Sequence, residues 1–145
     1  MEIVLASRNH LNEIMEIEKE CFLEPFKEES LIYELEENAF SVFYVALIEG
    51  KVVGFIDFWI TFDSSTICQI AVSKKYRNKG IASKLLERMF IDLKDKEVVV
   101  SSLEVRTHNE SAIALYLKHG YFKEVVKPHY YNNGDDALYM LKGVE

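Results

Sequence analysis

Three β-rich runs, residues 41–48, 52–60 and 66–72, follow one another with only short polar turns between them. The first reads S-V-F-Y-V-A-L-I, dense in the β-branched and aromatic residues that suit a pleated surface. Glu49-Gly50 is a hairpin signal, and Asp63-Ser64-Ser65 marks a second turn. Neither link can hold a crossover helix, so these strands are predicted to be antiparallel neighbours. An opening strand is predicted at Ile3–Leu5. A helix follows, capped by Ser7 or Asn9, with Leu11, Ile14, Ile17 and Cys21 near one face. Pro25 interrupts it, and a second helix is predicted over residues 27–38. After residue 80, Ile81, Leu85, Leu86, Met89 and Phe90 recur at helical spacing. Residues 98–105 read as a strand and 111–119 as a helix with a left-handed C-cap at Gly120. Residues 121–126 and 137–141 are predicted to form a final strand pair. The fold class is therefore α/β in the mixed sense: one mixed sheet with helices on both faces.

The chain has 145 residues, read as a single domain spanning 1–145. Asp and Glu (24) outnumber Lys and Arg (17), a formal charge of −7. That balance argues against nucleic-acid binding and suits a cationic partner, such as an amine or basic peptide. No apolar run approaches the roughly 20 residues of a membrane span, and the first residues lack a signal-peptide pattern. Cys21 and Cys68 lack metal-ligand spacing and read as reduced thiols in a cytoplasmic protein.

The stretch from Ile67 to Phe90 carries the most chemistry. An apolar strand ends in Ile70-Ala71-Val72, a basic loop follows, and a helix begins at Gly80. The first turn of a helix has N–H groups without intrahelical partners, and its dipole favours an anion. Gly80 lets a phosphate approach the backbone, and Ala82 and Ser83 keep that face open. Arg77 and Lys79 are expected to add positive charge. The pattern is neither a Walker loop nor a G-x-G-x-x-G dinucleotide fingerprint.

R-x-x-G-x-A after an I-A-V strand end resembles the pyrophosphate loop of the GNAT acetyltransferases. Residues 103–121, L-E-V-R-T-H-N-E-S-A-I-A-L-Y-L-K-H-G-Y, are similar to the ribosomal-protein-alanine acetyltransferases, the RimI-type branch. Cys21–Phe26 (C-F-x-x-P-F) and Pro128–Tyr131 (P-H-Y-Y) extend the resemblance over most of the chain. It implies the GNAT fold: a mostly antiparallel twisted sheet of about six to seven strands, about four helices, and a splay at the cofactor-binding strand pair. It implies acetyl-CoA as acyl donor, no metal, and a protein N-terminus as acceptor, in the first instance the N-terminal Ala of a small-subunit ribosomal protein. Ile70, Ala71 and Val72 would line the pantetheine arm. Arg77, Asn78, Lys79, Gly80, Ile81, Ala82 and Ser83 would hold the pyrophosphate, and Asn109 would contact the cofactor. Glu104 resembles the family's general base and Tyr116 its general acid. Phe26, Tyr130 and Tyr131 would border the acceptor. Phe26 stands where close relatives often carry Trp, and His108 where they often carry Ser.

The chemistry needs such groups. Acyl transfer to an amine needs the amine neutral, and a peptide α-amino group has a pKa near 8. A carboxylate can take its proton, and a phenol can protonate the departing thiolate. The N–H of Val72 is the candidate donor to the acyl oxygen. Each residue also has a plainer reading. Glu104 can pair with Arg106 on an exposed strand, Tyr116 can be a core aromatic, and Asn109 can be an N-cap. Cys68 has no evident activating group and reads as packing, and His129 as polar surface. Two other functions stay open: acetylation of a lysine side chain, polyamine or small amine, and a coenzyme-binding module without turnover. The oligomeric state is open between monomer and weak dimer.

Overall fold

The computed structural model describes residues 1–145. In chain order, β1 is Glu2–Leu5, α1 Leu11–Cys21, α2 Glu28–Ile32, β2 Ser41–Ile48, β3 Lys51–Thr61 and β4 Ser64–Val72. Then come α3 (Ile81–Asp95), β5 (Val100–Arg106), α4 (Glu110–Lys118), β6 (Phe122–Lys127) and β7 (Ala137–Gly143). The strands form one seven-stranded sheet in the order β1-β2-β3-β4-β5-β7-β6. Every neighbouring pair is antiparallel except β4 and β5. This is the mixed, mostly antiparallel architecture expected. No helix is long and apolar enough to cross a membrane.

β3 is buried on both faces, which explains its near-continuous apolar run. Val53, Ile56 and Phe58 pack with Leu85, Leu86, Met89 and Tyr116, beneath α3 and α4. Val52 and Phe55 pack with Leu11, Ile14, Ile17 and Leu31, beneath α1 and α2. Each such fully buried aliphatic contributes about 1.5–3 kcal/mol.

Two local expectations are corrected. The turn after β3 is Phe62-Asp63, with Phe62 at φ 55; Ser64 and Ser65 already belong to β4. Ser65 is buried there because its hydroxyl donates to Trp59 O at 2.7 Å. The second helix is regular only to Ile32. Tyr33–Glu37 widen into a π turn, closed by Asn38 N–H to Tyr33 O at 2.8 Å. The turn holds Glu34 inward, where it accepts from Trp59 Nε1 at 2.5 Å and Asn38 Nδ2 at 2.9 Å. The helix after β5 does not return the chain to the strand beside it. β7 inserts between β5 and β6, leaving β6 at the edge.

The β4–β5 pair positions the site. Their ladder holds only Ser64–Thr66 against Val100–Ser102. Beyond that point the two strands part, and residues 67–72 and 103–106 border a gap through the sheet.

Candidate active site

A parallel pair that stops early leaves backbone groups without sheet partners. Ser73 N–H donates to Val53 O at 2.8 Å. Ladder bonds alternate along an antiparallel pair, so the N–H and C=O of Val72 and Ile70 turn away from β3 toward the gap. The Val72 carbonyl bears this out: it accepts from Arg77 Nε at 3.2 Å and the Cys21 thiol at 3.4 Å. A β-bulge at Cys68, between the pairs Asp57–Gln69 and Phe58–Ile67, re-aims the strand just before this stretch.

Two cavities meet at the gap. The first, of about 690 Å³, is bordered by Phe22, Glu24 and Phe26 from the segment after α1, by Cys68 and Gln69, and by Glu104, Arg106 and Tyr131. The second, of about 530 Å³, is bordered by Ile70, Ala71, Val72, Arg77, Asn78, Gly80, Ile81, Ala82 and Ser83. Ile70, Asn109 and Tyr116 belong to both. The gap therefore joins one cavity beside the segment after α1 with another at the start of α3.

The start of α3 has the form of an anion site. Asn78 (φ 61) and Gly80 (φ 79) both adopt left-handed backbone. Lys84 N–H, to Gly80 O at 3.1 Å, is the first helical bond, so the N–H groups of Ile81, Ala82 and Ser83 have no intrahelical partner. A Cβ built on Gly80 meets nothing within 4 Å, so the turn is open to an incoming group. A diphosphate fits this donor set and this space. The basic side chains depart from expectation. Arg77 lines the cavity, but its guanidinium is engaged by Val72 O and by Cys21 Sγ at 3.3 Å. It braces β4 rather than facing an anion. Lys79 is exposed and borders neither cavity.

Glu104 lies on β5 opposite Tyr139 of β7. Its carboxylate accepts from Lys127 Nζ at 3.3 Å and from the Tyr130 hydroxyl at 3.4 Å. The pairing with Arg106 does not form; Arg106 points to Glu24 and Asp135 instead. Lys127 was not marked in the sequence, because it arrives from β6 and nothing local ties it to Glu104. Its ammonium lies 4.4 Å from the centre of the Tyr139 ring and 5.5 Å from that of Tyr130.

Tyr116, on α4, is buried and stands edge-on to Tyr121, 5.8 Å between ring centres. It belongs to the core and also borders both cavities. Burial raises its hydroxyl above the ordinary phenol pKa, and no hydrogen bond opposes that shift. Such a phenol holds its proton at neutral pH. Asn109 caps α4, accepting from Ala112 N–H at 3.3 Å, and also borders both cavities. Phe26 and Tyr131 border the first cavity; Tyr130 reaches the site through Glu104. His129 is exposed.

Residues 11–121 match the model of the acetyltransferase (GNAT) family. Over 131 residues the chain is 33% identical to a Bacillus subtilis protein provisionally named a ribosomal protein bS18-alanine N-acetyltransferase; the match covers 90% of this chain and 87% of that one. It is 33% identical over 150 residues to an N-alpha-acetyltransferase of Saccharolobus solfataricus, covering 94% and 89% of the two chains. The crystal structure of the ribosomal-protein-S18-alanine N-acetyltransferase from Escherichia coli superposes with a TM-score of 0.90 at 26% identity, covering 99% of this chain and 94% of that one. Family match, sequence relatives and a shared fold agree: the chain belongs to the GNAT family of N-acetyltransferases.

Proposed function

We propose that residues 1–145 act as one catalytic domain that transfers the acetyl group of acetyl-CoA to the N-terminal α-amine of a protein. The acceptor is the N-terminal Ala of a small-subunit ribosomal protein, the reading favoured by the names of the relatives. The observation that carries the reading is the gap between β4 and β5. It joins two cavities, with Glu104 on the wall of one and Tyr116 shared by both.

The free N–H groups of Ile81, Ala82 and Ser83 would hold the diphosphate, and the gap-facing backbone of Ile70 and Val72 would hold the pantetheine arm. When bound, the coenzyme supplies an activated thioester. Glu104 takes the proton of the acceptor nitrogen at its carboxylate, which a neutral nucleophile requires. The Val72 N–H offers a donor to the acyl oxygen. The Tyr116 hydroxyl would offer a proton to the departing sulfur, and its raised pKa keeps that proton in place at neutral pH. Tyr130 and Lys127 hold the Glu104 carboxylate, and an acceptor ammonium would compete with Lys127 for it.

Glu104→Gln and Tyr116→Phe are each expected to lower kcat by about 10²- to 10⁴-fold, with coenzyme affinity nearly unchanged. Equal losses of rate and affinity would contradict these roles. The acceptor is tested by incubating the protein and acetyl-CoA with an Ala-initiated ribosomal peptide, an internal-lysine peptide and a polyamine, followed by mass mapping. Acetylation of lysine or polyamine alone would refute the N-terminal reading. Coenzyme binding without transfer to any amine would refute turnover.

A further inference from the structure

Arg106 ends β5, two residues beyond Glu104, and its side chain is only 15% exposed. Its Nη1 donates to Asp135 Oδ2 at 2.8 Å and to Asn133 Oδ1 at 2.9 Å. Its Nη2 donates to Glu24 Oε1 at 3.4 Å. The guanidinium lies over the Tyr131 ring, 3.9 Å from its centre. Glu24 is held from the other side too, by Asn132 Nδ2 at 2.9 Å. One planar cation thus joins β5, the segment after α1 and the β6–β7 connection. Glu24, Arg106 and Tyr131 all border the larger cavity.

We propose that Arg106 is a positioning residue that latches these two segments together over the acceptor cavity and sets the Tyr131 ring against the acceptor peptide. The proposal rests on the acceptor-peptide reading above. An isolated exposed ion pair contributes little. Here a single low-exposure guanidinium meets three polar partners and an aromatic face. Arginine suits this role because its planar fork bonds and stacks at once, whereas lysine is a point charge. Segments ordered beforehand need not be ordered when the peptide arrives, so the latch acts on acceptor affinity. It touches neither the cavity at α3 nor Tyr116.

The test compares the wild type with Arg106→Ala, Arg106→Lys and Glu24→Gln. Peptide affinity without acetyl-CoA, steady-state kinetics, coenzyme affinity and amide exchange over residues 22–26 and 128–136 are measured. Arg106→Ala is expected to weaken peptide binding and raise the acceptor KM by about 10-fold. Its kcat and coenzyme affinity should stay within about 3-fold, and exchange should speed up in both segments. Arg106→Lys should recover only a minor part. Glu24→Gln should give a smaller loss of the same kind, and added to Arg106→Ala it should cost nothing further. Unchanged exchange in the two segments would overturn the latch, as would a fall in kcat at constant KM or full rescue by lysine. If the wild type neither binds nor acetylates any peptide, the functional reading falls, and the exchange comparison still decides whether the latch exists.

Discussion

Cys68 sits at the bulge of β4 and borders the larger cavity, where a covalent route through a thiol would need it. Its surroundings oppose that chemistry. Burial pushes the thiol above its ordinary pKa, and the acidic groups of Asp57, Glu34 and Glu18 around it push it further, because a thiolate would add charge to that cluster. The reactive species is the thiolate, so this side chain is inert at neutral pH. Cys21 has Arg77 beside it, yet burial outweighs the arginine and its pKa is also raised. Cys68→Ala is therefore expected to keep kcat within about 3-fold of the wild type. Iodoacetamide at pH 8 should label Cys68 more slowly than a free thiol. Rapid labelling together with loss of transfer would contradict direct attack by the amine.

β4 does two jobs along its length: residues 64–66 pair with β5, and residues 70–72 face the gap. Gly54 of β3 sets how closely β4 and α3 approach. A Cβ there would lie 2.9 Å from Ala71 O, 3.3 Å from Val72 Cγ2 and 3.5 Å from Ile81 Cγ2. Gly54→Ala must push the backbone of β4, at a cost of about 1–3 kcal/mol. It should weaken coenzyme binding more than Leu93→Val, a core change on α3, when the two are compared at equal loss of Tm. Equal coenzyme affinity in the two would mean that this spacing does not set the site. Much of this element was legible in the chain, because hairpin turns, strand composition and the Gly80 helix start are local signals. The partners of Glu104 and Arg106 were not, since they come from β6, the β6–β7 connection and the segment after α1. The insertion of β7 between β5 and β6 was also hidden: a terminal hairpin does not declare which strand will pair with β5. Nor does apolar spacing tell an α turn from the π turn at Tyr33–Glu37.

At the scale of the whole molecule, an acidic layer lies under α1 and α2. Glu18 and Asp57 are fully buried and Glu34 nearly so. Asp57 accepts from Ser41 Oγ at 2.7 Å through Oδ1, while its Oδ2 has no partner as an acceptor. Both Glu34 oxygens already accept N–H bonds. A proton on Asp57 facing Glu34 resolves this. Burial is the main cause of its raised pKa, and the Glu34 carboxylate adds to it, bringing Asp57 up to about 9. The unfolded chain releases that proton near the ordinary carboxylate value of about 4. From pH 4 to 9 the folded state therefore holds a proton that the unfolded state has lost. Stability contributed by this group is full below pH 4, falls as pH rises through that window, and is level above it. Asn at 57 would keep the Ser41 bond and present an N–H to Glu34 without needing a proton. Asp57→Asn should therefore flatten the fall of the urea midpoint between pH 5 and 9, and it should exceed the wild type in stability at pH 8. Parallel midpoint curves for the two proteins would place the proton elsewhere. If the variant is instead destabilised at every pH, Asp57 is ionised and Ser41 is holding a carboxylate. The measurement thus separates a shared proton from a buried charge in the acidic layer under α1 and α2.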